Sequence, residues 1–471
     1  MAAVFPEPQP DVADLDLDSF AASLTGTVIR PDAPEFDETR EVQNATIDRR
    51  PAFIVNAADA ADVARTVTLA AETGLELAIR AGGHSLAGFS ATEGGILLDL
   101  RSMKGLHIDP DRRLAWAQPG LTAIEYTEAA AAHGLATPFG DSGSVGIAGL
   151  TLGGGIGWLV RKYGLAIDNL VSVEVVTADG RIVIASEDRN PDLFWAIRGG
   201  GGNFGVVTRF QYRLVPVGQV FGGALFMPFT RDVLRGLGPI AAAAPEELST
   251  ITFVMAAPPL PFVPVEHHFK PAVVVMFVHA SDDIAAGMAA LEPFRALATP
   301  LAEAAFPMPY PGIYGFTAEA STRMAGAHRS MFMDALDDET VDTVIARHSA
   351  PSSPMAITQI RILGGEMARV PAEATAFAQR DANVMFTIIT LFDDPAEAPI
   401  HNAWTKDYFD SLASKASGVY SNFLEAEGEA RVREAYPGGS YERLADVKRR
   451  YDPTNLFRMN QNIKPSGTAR G

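Results

Sequence analysis

The chain contains no cysteine among its 471 residues. That absence excludes disulfides, thiolate metal sites, iron–sulfur clusters and cysteine nucleophiles together. Its nine histidines include no His-x-x-x-His or His-Glu-x-x-His spacing, so no metal site is expected. Basic charge is scarce as well: 38 Lys and Arg stand against 57 Asp and Glu, a net charge of −19. Nucleic acid and anionic membrane surfaces both require a basic face, and neither is an expected partner. No stretch approaches the ~20 apolar residues of a membrane span. The N-terminus, MAAVFPEPQPDVADLDLD, lacks the basic and apolar regions of a signal peptide, so a cytoplasmic location is expected.

What is present is globular: 47% hydrophobic and 20% charged residues, in a chain long enough for two domains. Residues 58–73 space their apolar positions as a helix does, with Gly74 as the stop. LELAIR (75–80) and GILLDL (95–100) read as short buried strands flanking RAGGHSLAGFS (80–90). LAWAQPG (114–120) is a further strand, followed by a helix over 121–134. SVEVVTADGRIVIAS (172–186) is a hairpin turning on Asp179-Gly180. A short helix over 191–199 and a long strand over 206–217 follow. Beyond about residue 218, long strands (249–257, 272–280, 356–363, 383–392) alternate with helices, which suggests an antiparallel sheet covered by helices on one side.

Three glycine clusters need a reason: 82–88, 146–157 and 199–205. The last, GGGNFG, matches G-x-G-x-x-G, but helix precedes it and strand follows, the reverse of a dinucleotide-binding turn. No G-x-x-x-x-G-K-[ST] loop occurs. Three clusters suggest backbone amides converging on one elongated ligand. Tight turns between short strands are the plainer reading of the same glycines.

Four segments, in order, carry a specific resemblance: RAGGHSLAGFS, GSVGIAGLTLGGGIGWLVRKYGLAIDNL (143–170), NPDLFWAIRGGGGNFGVVT (190–208) and YERLADVKRRYDPTNLFRMNQNIKP (441–465). They resemble the flavin-binding segments of the berberine-bridge-enzyme-like flavoproteins of the vanillyl-alcohol-oxidase superfamily. The similarity runs over nearly the whole chain and is strongest over 44–217 and 418–465. It implies an α+β, two-domain PCMH-type FAD-binding fold with an inserted substrate domain of antiparallel sheet plus helices. The boundaries it implies are an FAD-binding part at 1–217, a substrate-binding domain at 218–417, and a C-terminal segment at 418–471 completing the FAD-binding domain.

The resemblance also assigns residues. FAD would be held by Arg80, Ala81, Gly82, Gly83, His84, Ser85 and Gly88 in the first loop. Ser142, Gly143, Gly146, Gly149, Gly153, Gly154, Gly155 and Gly157 would hold it in the second, with Val207, Asn460 and Asn462 beyond. Gln461 belongs to the same C-terminal element, whereas Asp168 and Asn169 stabilise the turn that ends the second segment. In the family the histidine of the G-G-H-S loop bonds to the flavin 8α-methyl carbon, a role that falls on His84; a neutral imidazole is a competent nucleophile near pH 7. The plainer alternative is a histidine merely hydrogen-bonded to the cofactor. The cysteine that forms a second link in many relatives aligns with Ser142, so a single covalent bond is expected.

Val145 takes the position beside flavin C4a where valine resembles the oxidases; simple packing against the ring is the other reading. Tyr420, in GVYSNF, resembles the Tyr-x-Asn tyrosine near flavin N5 and is the candidate base, though Phe423 replaces a second tyrosine. A phenol of pKa about 10 would need a cation or polar network to lower it. The rival role for Tyr420 is one structural hydrogen bond. Gln359 and Arg361 alternate on one strand and so share a face. Arg361 would bind a substrate carboxylate or assist the phenol, or else form a surface ion pair. His267, His268, Tyr310 and Tyr314 are weaker candidates.

The function implied is an FAD-dependent oxidase that takes a hydride from a small alcohol, phenolic, amine or sugar substrate and uses O2 as acceptor. A dehydrogenase with another acceptor, or a flavin-binding protein without turnover, are the alternatives. Monomer and homodimer are both compatible with the sequence.

Overall fold

The computed structural model describes residues 15–467, so most of the N-terminal segment discussed above lies outside the described residues. Three larger sheets and one two-stranded ladder organise the described residues. The first has the order β1 (Thr27–Ile29), β2 (Phe53–Asn56), β4 (Ile96–Asp99), β3 (Leu77–Arg80). Strands β2 and β3 both run parallel to β4. Helix α1 (Ala60–Thr73) makes the crossover: Asp59 caps its start by accepting from the Ala61 and Asp62 N–H groups, and Gly74 ends it at φ 72°. The RAGGHS loop therefore leaves the carboxyl end of a parallel strand, where sheets of this kind receive ligands.

The second sheet is antiparallel throughout: β5 (Leu106–Asp109), β6 (Leu114–Ala117), β9 (Val206–Arg213), β7 (Leu170–Val176) and β8 (Ile182–Ser186), in that order. Gly180 takes φ 74° in the turn between β7 and β8, as the Asp-Gly pair predicts. The strand expected over 206–217 stops at Arg213, and Val215 and Pro216 pair instead with Leu135 and Ala136. Proline cannot donate to a central ladder, and the chain changes partner where it arrives. Helix α2 (Ala123–Ala131) is shorter than the expected 121–134, its start fixed by a capping box of Thr122 and Glu125, and the helix expected over 191–199 is α4 (Pro191–Ile197).

The third sheet has eight strands: β10 (Gln219–Pro228), β11 (Leu248–Ala256), β12 (Pro271–His279), β13 (Ala302–Pro309), β14 (Ala325–Met333), β15 (Met355–Ile362), β16 (Val384–Phe392) and β17 (Ala416–Gly418). Their spatial order is β13-β10-β12-β11-β15-β16-β14-β17. One face carries Met331, Met333, Ile360, Ile362, Phe386 and Ile388 into a core. That core is completed by Leu234 and Leu237 of α5 (Arg231–Ala243), Phe294 of α6 (Ile284–Arg295), Val341 and Val344 of α7 (Asp338–Ser349), and Tyr408 of α8 (Ala398–Leu412). Period-2 alternation then sends the intervening residues to the opposite face. There Gln359 lies opposite Thr387, which lies opposite Ser330, and His328 lies opposite Ile389.

Helix α9 (Ser440–Tyr451) returns the chain to the glycine loops through a buried lysine. Lys448, fully buried, donates to the Asn203 and Phe457 carbonyl oxygens and pairs with Asp452 at 2.6 Å. The Asn203 amide donates to Gln461 O at 3.1 Å and its Oδ1 accepts from the Ile463 N–H at 2.9 Å. A charged amine is retained in a dry site only when its donors are filled, and here carbonyls and a carboxylate fill them.

Candidate active site

The glycine loops and the polar face of the eight-stranded sheet meet across one cavity of about 440 Å³. On the loop side it is lined by Ala81, Gly82, Gly83, His84 and Ser85, and by Ser142, Val145, Gly146 and Gly149. Gly201, Gly202, Val207 and Asn460 also line that wall. Gln359, Arg361 and Tyr420 face it from the other side. Three glycine clusters and the C-terminal element thus converge as the sequence reading required.

Helix α3 (Ile147–Gly153) begins at Gly146, and the first two loops touch through bare backbone. A Cβ placed on Gly82 would lie 2.7 Å from Gly146 Cα, and one on Gly146 would lie 2.8 Å from Gly82 Cα. No other residue fits at either position. Gly149 and Gly202 are different: a Cβ on either would meet nothing within 4 Å, so it would enter the cavity. They form a cradle whose emptiness suits a ligand lying against main chain.

The remaining sequence-assigned residues stand behind this lining. Gly88, Gly143, Gly153, Gly154, Gly155, Gly157 and Asn462 are not part of it. Arg80 is buried in an ion pair, 2.6 Å from Asp99 Oδ2, and donates to Glu41 O at 3.0 Å. Gly155 acts through its N–H, which donates to the Tyr420 hydroxyl at 2.9 Å. Asp168 holds Arg380 through two 2.8 Å bonds and accepts from Leu165 N–H, and Asn169 donates to two backbone carbonyls. Both therefore serve the turn. His267 and His268 sit on the proline-rich connection, away from the cavity; His268 Nε2 is 2.8 Å from Val263 O. Tyr310 and Tyr314 are buried in the hydrophobic core, also outside the lining.

Burial sets the electrostatics. Desolvation holds the His84 pKa below the usual 6.5, opposed by a hydrogen bond with the Ser144 backbone. The imidazole is neutral at physiological pH, the state a nucleophile requires. Tyr420 behaves differently from the expectation for a base. Its pKa is raised by burial, and the Gly155 N–H, the Asn422 amide at 2.9 Å and the Arg361 charge only partly offset this. The network foreseen for the phenol is present, but desolvation exceeds it. Arg361 is no surface ion pair: nearly buried, it bonds Asp141 Oδ2 at 2.7 Å and lies 5.1 Å over the Phe423 ring.

Several polar atoms of the lining remain without partners: Gln359 Oε1, Arg361 Nε and Asn460 Oδ1 are among those buried and unbonded. Unpaired polar groups cost free energy in a closed protein, and their clustering around one cavity marks a ligand's place. With the glycine cradle, they give the residues present a fit to a long, polar cofactor such as FAD. His328, Asp141 and Thr387 also line the cavity and were missed in the sequence. Asp141 sits beside Ser142 and was within reach of motif reasoning; His328 and Thr387 lie on strands with no local motif. Among the described residues no cluster of His, Asp and Glu suits a metal ion, and no helix is long and apolar enough to cross a membrane.

Comparison with known proteins agrees with this geometry. Residues 51–186 match the family described as FAD binding domain, and residues 419–464 match the one described as berberine and berberine like. The chain is 32% identical to (R)-6-hydroxynicotine oxidase of Paenarthrobacter nicotinovorans, over 95% of this chain and 98% of that relative. Among solved structures, 6-hydroxy-D-nicotine oxidase from Arthrobacter nicotinovorans superposes with a TM-score of 0.85 at 28% identity, covering 94% of this chain and 98% of that one. The berberine-bridge-enzyme-like protein 1 of Physcomitrella patens shares the fold with a TM-score of 0.86 at 21% identity, covering 97% of this chain and 100% of that one.

Proposed function

The chain belongs to the berberine-bridge-enzyme-like family of FAD-linked oxidoreductases, and on that premise we propose that it oxidises a small organic molecule, with O2 as the electron acceptor and hydrogen peroxide as the second product. One observation carries the reading: glycine loops with a neutral, half-buried histidine face a polar sheet across a single cavity. In the proposal, residues 1–217 and 418–471 form the FAD-binding unit and 218–417 the substrate-binding one.

His84 is the residue we assign to a single covalent bond with the cofactor; Ser142 cannot form a second. The backbone around Gly82, Gly146, Gly149 and Gly202 would lie against the cofactor, with Asn460 offering its unpaired oxygen. FAD, when bound, supplies the two-electron redox chemistry that no side chain here can perform. Tyr420 takes the substrate's hydroxyl, phenol or amine proton as the C–H hydrogen leaves. Gly155 N–H, the Asn422 amide and Arg361 stabilise the Tyr420 phenolate that accepts this proton. Gln359 offers its unbonded oxygen to the substrate, and Asp141 keeps Arg361 on the cavity wall. Val145 leaves oxygen a path along the loop side.

A panel of amines, phenolic alcohols and sugars, including (R)-6-hydroxynicotine, tests the proposal by oxygen electrode with peroxide detection. One class should give oxygen uptake matched by peroxide. Substrate that bleaches the flavin without consuming oxygen would make the protein a dehydrogenase instead.

A further inference from the structure

We propose that His328 is a substrate-binding residue of this cavity, a hydrogen-bond acceptor aimed by Glu425 that selects substrates carrying a neutral hydroxyl or phenol. The inference rests on the oxidase reading above for its substrate, but not for its geometry.

His328 projects from β14 on the same face of the sheet as Thr387 and Gln359, and it lines the cavity with them. Its Nδ1 is buried, without a hydrogen-bond partner, and 3.6 Å from Glu425 Oε1, within ion-pair range. The same carboxylate oxygen accepts from the His328 backbone N–H at 2.8 Å, which fixes the carboxylate against this residue. Arg329 Nη1 secures the other oxygen at 2.5 Å and also donates to the His328 carbonyl at 2.6 Å.

The surrounding charges are fixed too. Glu427 lies 3.5 Å from Arg329 and 3.3 Å from Arg431, and Arg431 donates to Ser330 O on β14 at 2.8 Å. From the neighbouring strand β16 the residue opposite is Ile389, which brings no charge. Burial works to raise the Glu425 pKa, yet its contacts with His328 and Arg329 hold it below the usual range, so the carboxylate is ionised.

An ionised carboxylate beside Nδ1 favours the tautomer that carries its proton there. Nε2 is then an unprotonated acceptor, and it is the ring nitrogen left to the cavity. A carboxylate that orients an imidazole in this way fixes which hydrogen-bond partner the ring accepts. A substrate hydroxyl satisfies it; a methyl ether of the same shape leaves it unpaired.

The test uses the flavin-loaded protein with 4-methylphenol and its methyl ether, 4-methylanisole, as probes. Binding is followed through the flavin absorbance under anaerobic conditions, so that affinity is read whether or not turnover occurs. The phenol should bind about threefold to tenfold more tightly than the ether. His328→Leu should abolish that preference, and His328→Gln, which retains an acceptor, should keep part of it. Equal affinities in the parent, or an undiminished preference in His328→Leu, would overturn the assignment. Where His328→Leu does not fold, nitrogen NMR of 15N-histidine-labelled parent decides, with His328→Gln to assign the ring. It should show a protonated Nδ1 and an Nε2 signal that shifts with the phenol; a protonated Nε2 would overturn it. A panel without any substrate would count against the oxidase reading while leaving these outcomes readable.

Discussion

The two walls of the cavity are made of different material. On the loop side the lining is rich in glycine, and bare backbone meets bare backbone where Gly82 meets Gly146. On the sheet side it is side chains, Gln359, Arg361, Thr387 and His328, carried by strands whose other face is a hydrophobic core. Backbone amides are present at every residue, so a wall made of them constrains sequence through glycine and is tied to one ligand. A wall of alternating side chains can change every second residue without disturbing the core behind it. The first wall suits an invariant cofactor, and the second suits substrate choice.

The largest test of that contrast is Gly146→Val. The side chain would collide with Gly82, so flavin incorporation should be abolished. Thr387→Val, on the sheet wall, should leave the flavin-to-protein absorbance ratio unchanged. A Gly146→Val protein that still loads flavin normally would remove the distinction.

Next in size is Tyr420→Phe, where the side chain from one wall binds the backbone of the other through Gly155. A positioned base contributes about 10²–10⁴-fold, so anaerobic flavin reduction should fall by that factor with the flavin spectrum unaltered. The pH dependence is specific. Because burial raises the phenol's pKa above 10, the proton-accepting form accumulates only at high pH, and reduction should keep rising with pH through 10. A plateau reached near neutrality would take the role from Tyr420.

The sheet's outer face offers a stability test. His348 on α7, bonded to Thr358 at 2.8 Å, is held neutral by desolvation, its pKa pushed down from 6.5 to about 4. The unfolded chain therefore binds more protons between these values. Stability is complete above about pH 6.5 and is lost as pH falls towards 4, by about 3 kcal/mol from this group. Urea unfolding at pH 7 and pH 5 should show that slope reduced in His348→Gln; an unchanged slope would place the acid sensitivity elsewhere.

Smallest is Val145→Ile on the loop wall. If the valine leaves oxygen a path, stopped-flow reoxidation should slow by roughly tenfold, about 1.4 kcal/mol of barrier, with substrate reduction spared. Equal rates would reduce Val145 to packing.

The same contrast explains what the sequence revealed. The loop wall was legible because its chemistry is local: RAGGHS, GLTLGGGIG and GGGNFG each concentrate their signal within a dozen residues. So were helix α1, with Asp59 and Gly74 at its ends, and the turn at Asp179-Gly180. On the sheet wall only same-strand information survived. Gln359 and Arg361 could be placed on one face by alternation, but their neighbour Thr387 arrives through strand pairing from 28 residues away. His328 depends on β14 lying beside β16, and its partner Glu425 on a segment 97 residues further along. Arg361 illustrates the limit: its residue type was informative, but its partner Asp141 is 220 positions distant, and the pair proved part-buried. Lys448 gave no signal at all, since a helix-face lysine is ordinarily solvated, and only the fold shows it filled by Asn203, Asp452 and Phe457.

The central claim is that the loop wall holds FAD and that His84 is bonded to it. Mass spectrometry of acid-denatured, protease-digested protein tests this most directly. The account predicts a yellow precipitate and one flavin-bearing peptide, the one containing residue 84, and in His84→Ala a flavin that binds but washes away on denaturation. Complete release of FAD from the denatured parent, or a flavin attached to any other residue, would contradict it.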